Sequence, residues 1–264
     1  MTLSVPVFRV APGDASSPVI LHVPHASRRV GDPAAAGLLL DGSALAAELD
    51  HITDAHTDLI AQGAADAARL RPWSFVNEWS RLIVDPERFP DDREVMRAVG
   101  MGAVYTRTSH GEPLRDPDPE LERRLLDAHF HPYAAAMTAL VDERLAATGR
   151  AIVIDVHSYP SQALPYELHG DGPRPPICLG TDTAHTPPRL RAAAREAFSG
   201  YEIALDTPFA GCYVPLKHYG TDARVTALMV EIRRDVYATE PGGAPHDGLP
   251  RLVTALTSLI DALS

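Results

Sequence analysis

The sequence predicts an α/β protein whose largely parallel, mixed sheet is covered by helices on both faces. Two apolar runs of strand length, at 151–157 and 226–232, end in ionisable residues, which is typical of buried parallel strands that present polar groups at their carboxyl ends. Runs of this kind alternate with helical patterns along the chain, as they do in sheets with helical crossovers. The candidate site residues extend from His25 to Glu231, so we expect a single domain over residues 1–264.

Four segments have the composition and periodicity of helices. They are 42–69, 118–147, the stretch from Pro187 and Pro188 to about 199, and 248–263. Ser43 is the expected N-cap of the first helix. We expect Pro132 to interrupt the second, because an interior proline removes a backbone hydrogen bond and clashes with the preceding turn.

The expected strands are the apolar runs between these helices. They lie at 18–24, 73–84, 151–157, 176–180, 201–205, 212–216 and 226–232. Two polar stretches rich in proline or glycine, at 86–117 and 160–175, are long for plain connections. Long loops in a compact domain often shape a functional site.

Composition and charge exclude several classes of protein. The net charge is 24 − 35 = −11, which disfavours a nucleic-acid partner, because such partners need a basic surface. No stretch approaches the roughly 20 apolar residues of a membrane span, and the first residues lack the pattern of a signal peptide, so we expect a cytoplasmic protein. The two cysteines are too few for a Cys₄ zinc site or a disulfide framework.

Three strand ends carry residues suited to metal-assisted hydrolysis. His25 follows the first central run, His157 ends the third, and Glu231 lies near the end of the last. Ligands of α/β sheets bind at the carboxyl ends of the strands. Histidine is a good zinc ligand and glutamate a good general base, so these three residues outline a metallohydrolase site.

Two pairs of charged or polar residues have strand spacing. Asp155 and His157 are two residues apart, as are Glu231 and Arg233, so each pair should point to one side of its strand. Burying such groups unpaired is costly. The alternative to a functional role for Glu231 and Arg233 is a buried ion pair.

A run of potential ligands lies in the first helical segment. On a continuous helix, Asp50, Asp54 and Asp58 would share one face at i, i+4 spacing. This face is either solvated or close to a positive group, because three carboxylates on one face repel one another.

Eight motifs, in order along nearly the whole chain, resemble those of the N-formylglutamate amidohydrolase family. They are Val-Pro-His-Ala-Ser (23–27), Thr-Asp-Ala-His-Thr-Asp (53–58), Ser-Arg-Leu-Ile-Val-Asp-Pro-Glu-Arg (80–88), Gly-Glu-Pro-Leu-Arg (111–115), His-Pro-Tyr (131–133), Asp-Val-His-Ser (155–158), Lys-His-Tyr-Gly (217–220) and Val-Glu-Ile-Arg (230–233). This family is distantly similar to zinc carboxypeptidases and aspartoacylases. The resemblance implies a zinc-carboxypeptidase-like fold and hydrolysis of an N-acylated, anionic amino acid such as N-formylglutamate, as in histidine degradation.

The resemblance also implies a ligand set for one zinc ion. His25 matches the first ligand position of the carboxypeptidases and His157 the last. The carboxypeptidase glutamate three residues after the first histidine is replaced here by Arg28, which cannot bind a metal. Asp54 is the expected carboxylate ligand, with Glu48, Asp50 and His56 as alternatives. Glu231 is then the expected base, and Asp155 is expected to orient a ligand or a neighbouring base.

Arginines in the matched motifs are the expected substrate-binding residues. Arg81 and Arg88 could each clamp one carboxylate of an acylated glutamate, and Arg233 is a further candidate. Glu87 stands where the family usually has asparagine. Its extra negative charge either turns away from the site or indicates a different substrate.

Other kinds of function leave part of this pattern unexplained. A serine hydrolase would need a Gly-x-Ser-x-Gly elbow, which the sequence lacks. A nucleophilic Cys212 beside Lys217 and His218 would give the strand-end residues no role. A zinc-stabilised binding protein would not need Glu231. A carboxypeptidase-like hydrolase of other N-acyl amino acids or peptides remains the second enzymatic interpretation.

Overall fold

Seven strands form one mixed sheet in the order β1-β3-β2-β4-β7-β5-β6. The structure, a computed structural model, describes residues 5–168, 170 and 172–264. The strands are β1 (Phe8–Ala11), β2 (Val19–Val23), β3 (Trp73–Asn77), β4 (Ala151–Tyr159), β5 (Ile177–Gly180), β6 (Ile203–Leu205) and β7 (Val225–Arg233).

The centre of the sheet is parallel. Strand β2 pairs in parallel with β3 and β4, and β4 pairs in parallel with β7. Strand β1 is antiparallel to β3, and β5 is antiparallel to β7. The predicted class, a mostly parallel mixed sheet, is therefore confirmed.

Helices cover both faces of this sheet. They are α1 (Gly42–Ile52), α2 (Thr57–Ala67), α3 (Pro119–Leu125), α4 (His131–Thr148), α5 (Pro188–Ala197) and α6 (Gly248–Leu263). In β4, Ile152 and Ile154 pack in the apolar cluster that contains α2, α5 and α6, whereas Val153 packs in the cluster that contains α4. This alternation is what a strand buried on two faces requires. None of the helices in the described part of the chain is long and apolar enough to cross a membrane.

The first predicted helix is not one continuous helix. The segment 42–69 forms two helices, and Thr53 to His56 lie between them. His56 has a left-handed backbone conformation with φ of 64°, which an α-helix does not allow. Asp54 therefore does not share a helical face with Asp50.

The N-cap of α1 also differs from the prediction. Asp41, rather than Ser43, accepts a hydrogen bond from the backbone N–H of Ala44 at 2.9 Å. An aspartate is as good a cap as a serine, so the sequence did not distinguish the two positions.

The interruption predicted at Pro132 is a π-helical turn, Leu126–Phe130, between α3 and α4. Pro132 lies two residues after this turn, within the continuous helical path, where a proline removes a backbone hydrogen bond and crowds the preceding turn. The backbone at Leu125 and His131 stays right-handed helical, so the helix changes its winding without ending. The helices predicted near Pro188 and at 248–263 are present as α5 and α6.

One predicted strand is absent, another is shorter than predicted, and one observed strand was not predicted. The run 212–216 forms no strand, and of 73–84 only Trp73–Asn77 is a strand. Strand β1 lies at the edge of the sheet with two exposed and two half-buried residues, so it lacks the apolar run by which the others were found.

The long loop at 86–117 contributes Met96, Met101, Tyr105 and Leu114 to an apolar cluster. Residues of α1 belong to the same cluster. The other long loop, 160–175, follows β4; its residues 169 and 171 lie outside the described residues.

Candidate active site

Three adjacent parallel strands bring the predicted site residues to one edge of the sheet. His157 of β4 lies directly opposite Glu231 of β7 in the strand register. Strand β2, on the other side of β4, ends at Val23, and His25 follows two residues later. The carboxyl ends of parallel strands meet at one edge, which is where such sheets bind ligands.

Asp54 reaches this edge because the chain breaks between α1 and α2. Its backbone N–H donates to the carbonyl oxygen of His25 at 3.0 Å, and its own carbonyl accepts the hydroxyl of Thr57 at 2.8 Å. These two bonds fix the turn that carries Asp54 against the end of β2. The carboxylate thus comes from the interruption of the helix.

His25, Asp54 and His157 present three donor atoms to one point. The Nδ1 atoms of the two histidines are 3.3 Å apart. Asp54 Oδ2 lies 3.1 Å from Nδ1 of His157 and 3.7 Å from Nδ1 of His25. A tetrahedral ion with ligand bonds of about 2.0–2.1 Å separates its donors by about 3.3–3.4 Å. These residues could therefore hold a metal ion.

The outer nitrogen of each histidine faces a carboxylate. Nε2 of His25 lies 2.9 Å from Asp85, and Nε2 of His157 lies 3.3 Å from Glu87. Carboxylate partners of this kind orient metal-binding histidines and raise their basicity. Glu87, the departure from the family pattern, therefore turns into the site and not away from it.

The carboxylates shift the pKa values of both imidazoles. Burial disfavours the charged ring, yet Glu87 and Asp54 hold the pKa of His157 well above its usual value. For His25, burial and Arg81 oppose the charged ring, but Asp85 and Asp54 outweigh them and raise the pKa. Positive charge is thus favoured where the donor atoms meet, which suits a cation.

Arg234 holds the second oxygen of Asp54. Its Nη2 lies 3.4 Å from Asp54 Oδ1, its Nε donates to the Ser158 hydroxyl at 3.1 Å, and its Nη1 donates to the carbonyl of His51 at 2.6 Å. Burial opposes ionisation of Asp54, but hydrogen bonds from the histidines hold its pKa far below the usual range. The carboxylate is therefore charged and oriented.

The structure does not bring Arg233 to the predicted substrate site. Its guanidinium contacts Asp235 at 2.7 Å and the carbonyl of Arg174, and it does not line the site cavity. The alternative of an ion pair with Glu231 is not formed either, since Asp235 is the carboxylate that it contacts. Arg233 ends β7 and Arg234 begins a 3₁₀ turn, so the neighbouring Arg234 is the arginine that contacts Asp54.

Asp155 does not contact the three donor atoms but orients the histidine beside them. Its Oδ1 lies 2.6 Å from Nδ1 of His22, whose Nε2 lies 2.5 Å from the Tyr133 hydroxyl. Its Oδ2 accepts the backbone N–H of Tyr213. Sequence reasoning missed His22, although a histidine within an apolar strand was a visible signal.

Glu231 has the character of a buried proton acceptor. Its Oε2 is buried without a hydrogen-bond partner among the described residues. Burial, only partly offset by His157, raises its pKa to about 7. A carboxyl group with a pKa near the working pH can both take and return a proton.

Arg81 and Arg88 both approach Oδ2 of Asp85. Arg81 donates to Asp85 at 2.7 Å and to the Tyr105 hydroxyl at 2.9 Å. Arg88 Nε is 3.5 Å from Asp85 and is buried without a hydrogen-bond partner among the described residues. Arg81 is thus largely occupied by the protein, whereas Arg88 retains a donor for a ligand.

The site opens into a cavity of about 860 Å³. His25, Asp54, His157 and Glu231 all line it, together with Arg88. A pocket with many apolar and few convergent polar groups is typical of a small-molecule site.

The alternative ligands lie elsewhere. Glu48 binds the backbone and hydroxyl of Ser109, Asp50 pairs with Arg28 at 2.7 Å, and His56 contacts the carbonyl of Gly243. Cys212 lines the cavity, but burial raises the pKa of its thiol far above its usual value, so it is a poor nucleophile.

A mostly parallel α/β sheet with histidines, carboxylates and arginines converging on a cavity at its carboxyl edge defines a hydrolase of the amidohydrolase class. Comparison with known proteins places the chain more narrowly. Residues 17–238 match the sequence model of the N-formylglutamate amidohydrolase family, and the chain belongs to that family.

Individual relatives agree with this assignment. The chain is 28% identical to an N-formylglutamate deformylase of Pseudomonas putida over 93% of its own length and 92% of the relative. The N-formylglutamate amidohydrolase structure of Ralstonia eutropha JMP134 superimposes with a TM-score of 0.78 at 21% identity, covering 97% of this chain and 96% of the other. A gene product of Agrobacterium tumefaciens has a TM-score of 0.71 at 18% identity, covering 96% and 93%. The two structures show the fold alone.

Proposed function

We propose that this protein is a metal-dependent amide hydrolase that removes the acyl group of N-formyl amino acids, the class that includes N-formylglutamate. The observation that carries the proposal is the convergence of His25, Asp54 and His157 beside Glu231, whose buried Oε2 has no hydrogen-bond partner in the described part of the chain. The deformylase of Pseudomonas putida named above supports the choice of a formyl group. The reaction converts water and an N-formyl amino acid to formate and the free amino acid.

Zinc is the ion that the donor set suits best. Two histidine nitrogens and one carboxylate oxygen leave one position open, as in catalytic zinc sites. When bound, such an ion polarises the scissile carbonyl and acidifies water. The spacing of the donor atoms and the carboxylate partners of both histidines support this assignment.

Glu231 is the proposed general base and acid. As water attacks the formyl carbon, Glu231 takes a proton from that water. The carbon–nitrogen bond then breaks, and Glu231 returns the proton to the departing amine nitrogen. Its buried position, free oxygen and raised pKa support both transfers.

Arg88 is the proposed partner for the substrate carboxylate. Its side chain lines the cavity and has a buried donor without a partner among the described residues. Arginine binds carboxylates with charge-assisted hydrogen bonds. Arg81, already bonded to Asp85 and Tyr105, orients Asp85 and through it His25.

The deciding experiment is metal analysis of the purified protein together with formate release from N-formyl amino acids, before chelation, after chelation and after zinc is restored. We expect about one ion per chain and activity that disappears and returns with it. Metal-loaded protein that releases no formate from any N-formyl amino acid would contradict the proposal and favour a binding protein.

A further inference from the structure

Exposed apolar side chains are concentrated around the mouth of the site cavity. Seven large apolar side chains of the described residues are exposed, and four of them line this cavity. These four are Val95, Leu168, Leu216 and Tyr219. They come from three separate segments: a 3₁₀ turn, the loop after β4 and the stretch before β7. Apolar groups exposed together in this way are typical of a binding site.

Further apolar side chains line the cavity. They include Phe89, Met96, Phe130, Phe209 and Val214. The cavity of about 860 Å³ lies toward the upper end of the roughly 300–1,000 Å³ of drug-sized ligand sites. N-formylglutamate, with only about a dozen non-hydrogen atoms, would leave much of this surface uncovered.

The cations of the cavity are mostly paired within the protein. Lys217 contacts Asp142 at 2.6 Å, Arg234 contacts Asp54 and Arg81 contacts Asp85. Arg88 also lies near Asp85, at 3.5 Å, but it shares that carboxylate with Arg81, and its buried Nε has no hydrogen-bond partner among the described residues. The cavity therefore offers one clear position for a substrate carboxylate.

Glu87 makes a second substrate carboxylate unfavourable. Its carboxylate lies on the cavity wall within 3.3 Å of His157 and 3.5 Å of His22. A dianionic substrate would bring its second charge into a cavity that also contains Glu231, without a further unpaired cation among the described residues to receive it. Like charges in a confined site repel strongly.

We infer that the preferred substrates are N-formyl amino acids with a single carboxylate and a bulky apolar side chain, rather than the dianion N-formylglutamate. The single carboxylate binds Arg88, and the apolar side chain covers the rim formed by Val95, Leu168, Leu216 and Tyr219. This inference rests on the proposed deformylase function and specifies which substrates it serves.

The test compares kcat/KM of the zinc-loaded enzyme on four N-formyl derivatives: glutamate, glutamine, leucine and alanine. Glutamine has the shape of glutamate without its second charge, and leucine and alanine differ in apolar bulk. We expect N-formylglutamine to exceed N-formylglutamate, and N-formylleucine to exceed N-formylalanine, each by about 10-fold or more. Equal or higher activity on N-formylglutamate, or equal activity on the leucine and alanine derivatives, overturns the inference.

The variants Leu216→Ser and Leu59→Ser separate the rim from the general surface. Leu216 is 50% exposed at the cavity, and Leu59 is 48% exposed outside it. Leu216→Ser should lower the leucine-to-alanine ratio of kcat/KM several-fold, by about the value of a lost apolar contact, and Leu59→Ser should not. Equal ratios in the two variants count against an apolar subsite.

Glu87→Gln tests the charge. It should raise activity on N-formylglutamate relative to N-formylglutamine about 10-fold, because it removes the repulsion; an unchanged ratio overturns the role of Glu87. A zinc-loaded enzyme that hydrolyses none of the four derivatives defeats the proposed function and this inference together. One that prefers N-formylglutamate leaves the proposed function standing and defeats only this inference.

Discussion

The Nδ1 atoms of His25 and His157 face each other at 3.3 Å, and the Nε2 atom of each ring faces a different carboxylate. Both rings thus direct Nδ1 toward each other and Nε2 outward, although His157 lies on β4 and His25 lies in the segment after β2. The outer partners, Asp85 and Glu87, hold the two rings in this orientation.

His157→Ala should therefore lose the metal and essentially all activity, because two donors cannot hold a catalytic ion as three do. His131→Ala is the control, since His131 is exposed on α4, lies 3.7 Å from Asp127 and does not line the cavity. Metal content per folded chain and formate release give the answer. Full occupancy in His157→Ala would remove His157 from the ligand set.

The carboxylate ligand can be tested with two aspartates from one segment. Asp54→Asn should reduce metal occupancy from about one ion per chain to near none, because an amide oxygen is a weaker ligand than a carboxylate. Asp50→Asn, which breaks only a partly exposed contact with Arg28, should keep its metal. If the two variants retain metal equally, the carboxylate must come from another residue.

Removing Arg88 should weaken substrate binding. Arg88→Ala should lower kcat/KM by about 10²-fold on carboxylate-bearing substrates, with Arg93→Ala, an exposed arginine paired with Asp91, as the control. The sequence alone assigned this role to both Arg81 and Arg88. The structure favours Arg88, because Arg81 is engaged by Asp85 and Tyr105. Similar losses on an amide without a carboxylate would argue against the clamp.

Replacing the proposed base should separate chemistry from binding. Glu231→Gln preserves the shape of the side chain but cannot accept a proton, so kcat should fall by about 10²–10⁴-fold while metal content and KM change little. The quantity to measure is kcat per folded, metal-loaded molecule. Normal turnover in this variant would exclude Glu231 as the base.

The same substitution should change how stability depends on pH in the metal-free protein. Burial raises the pKa of Glu231 from 4.5 to about 7, so between these values the folded state binds more protons than the unfolded state. The free energy of unfolding then decreases as pH rises through that window. Glu231→Gln removes this decrease in the free energy of unfolding, because glutamine does not ionise.

The difference in the free energy of unfolding between the variant and wild type should therefore shift in favour of the variant between about pH 5 and about pH 8. The expected shift is a few kcal/mol, at most about 3. Denaturant unfolding of the chelated proteins at both pH values measures the difference. If the difference in the free energy of unfolding between the variant and wild type is the same at both pH values, Glu231 is not held protonated by burial.

The ends of the central strands could be predicted from the sequence because their apolar runs stop at charged residues. His25, His157 and Glu231 were found in this way, and they meet at one edge. Asp54 was selected from its motif, but the helical face assumed for it does not exist, because a left-handed residue two positions later ends the helical path. The family motif therefore identified Asp54 as a site residue, whereas the helical i, i+4 spacing placed it incorrectly.

Other parts of the site depend on contacts that a linear pattern does not contain. The choice between Arg233 and Arg234 depends on where β7 ends, since alternation of side chains stops when the 3₁₀ turn begins. The pairing of Asp85 with His25 and of Glu87 with His157 joins residues far apart in the chain. The apolar rim likewise becomes visible only when its separate loops are seen together.

The π-helical turn at Leu126–Phe130 has a consequence for how this cavity could have arisen. A π-turn is equivalent to one extra residue in an α-helix, and Phe130 at its end, like Ala134 in the helix that follows, lines the cavity. Deleting one residue from the turn would restore regular winding and leave the downstream helix in nearly its present orientation relative to α3, because a π-turn takes up the extra residue within a single wider turn. A single codon gained or lost here would therefore change the cavity wall locally at Phe130, while α4, the sheet and the edge that carries His25, Asp54 and His157 stay in place.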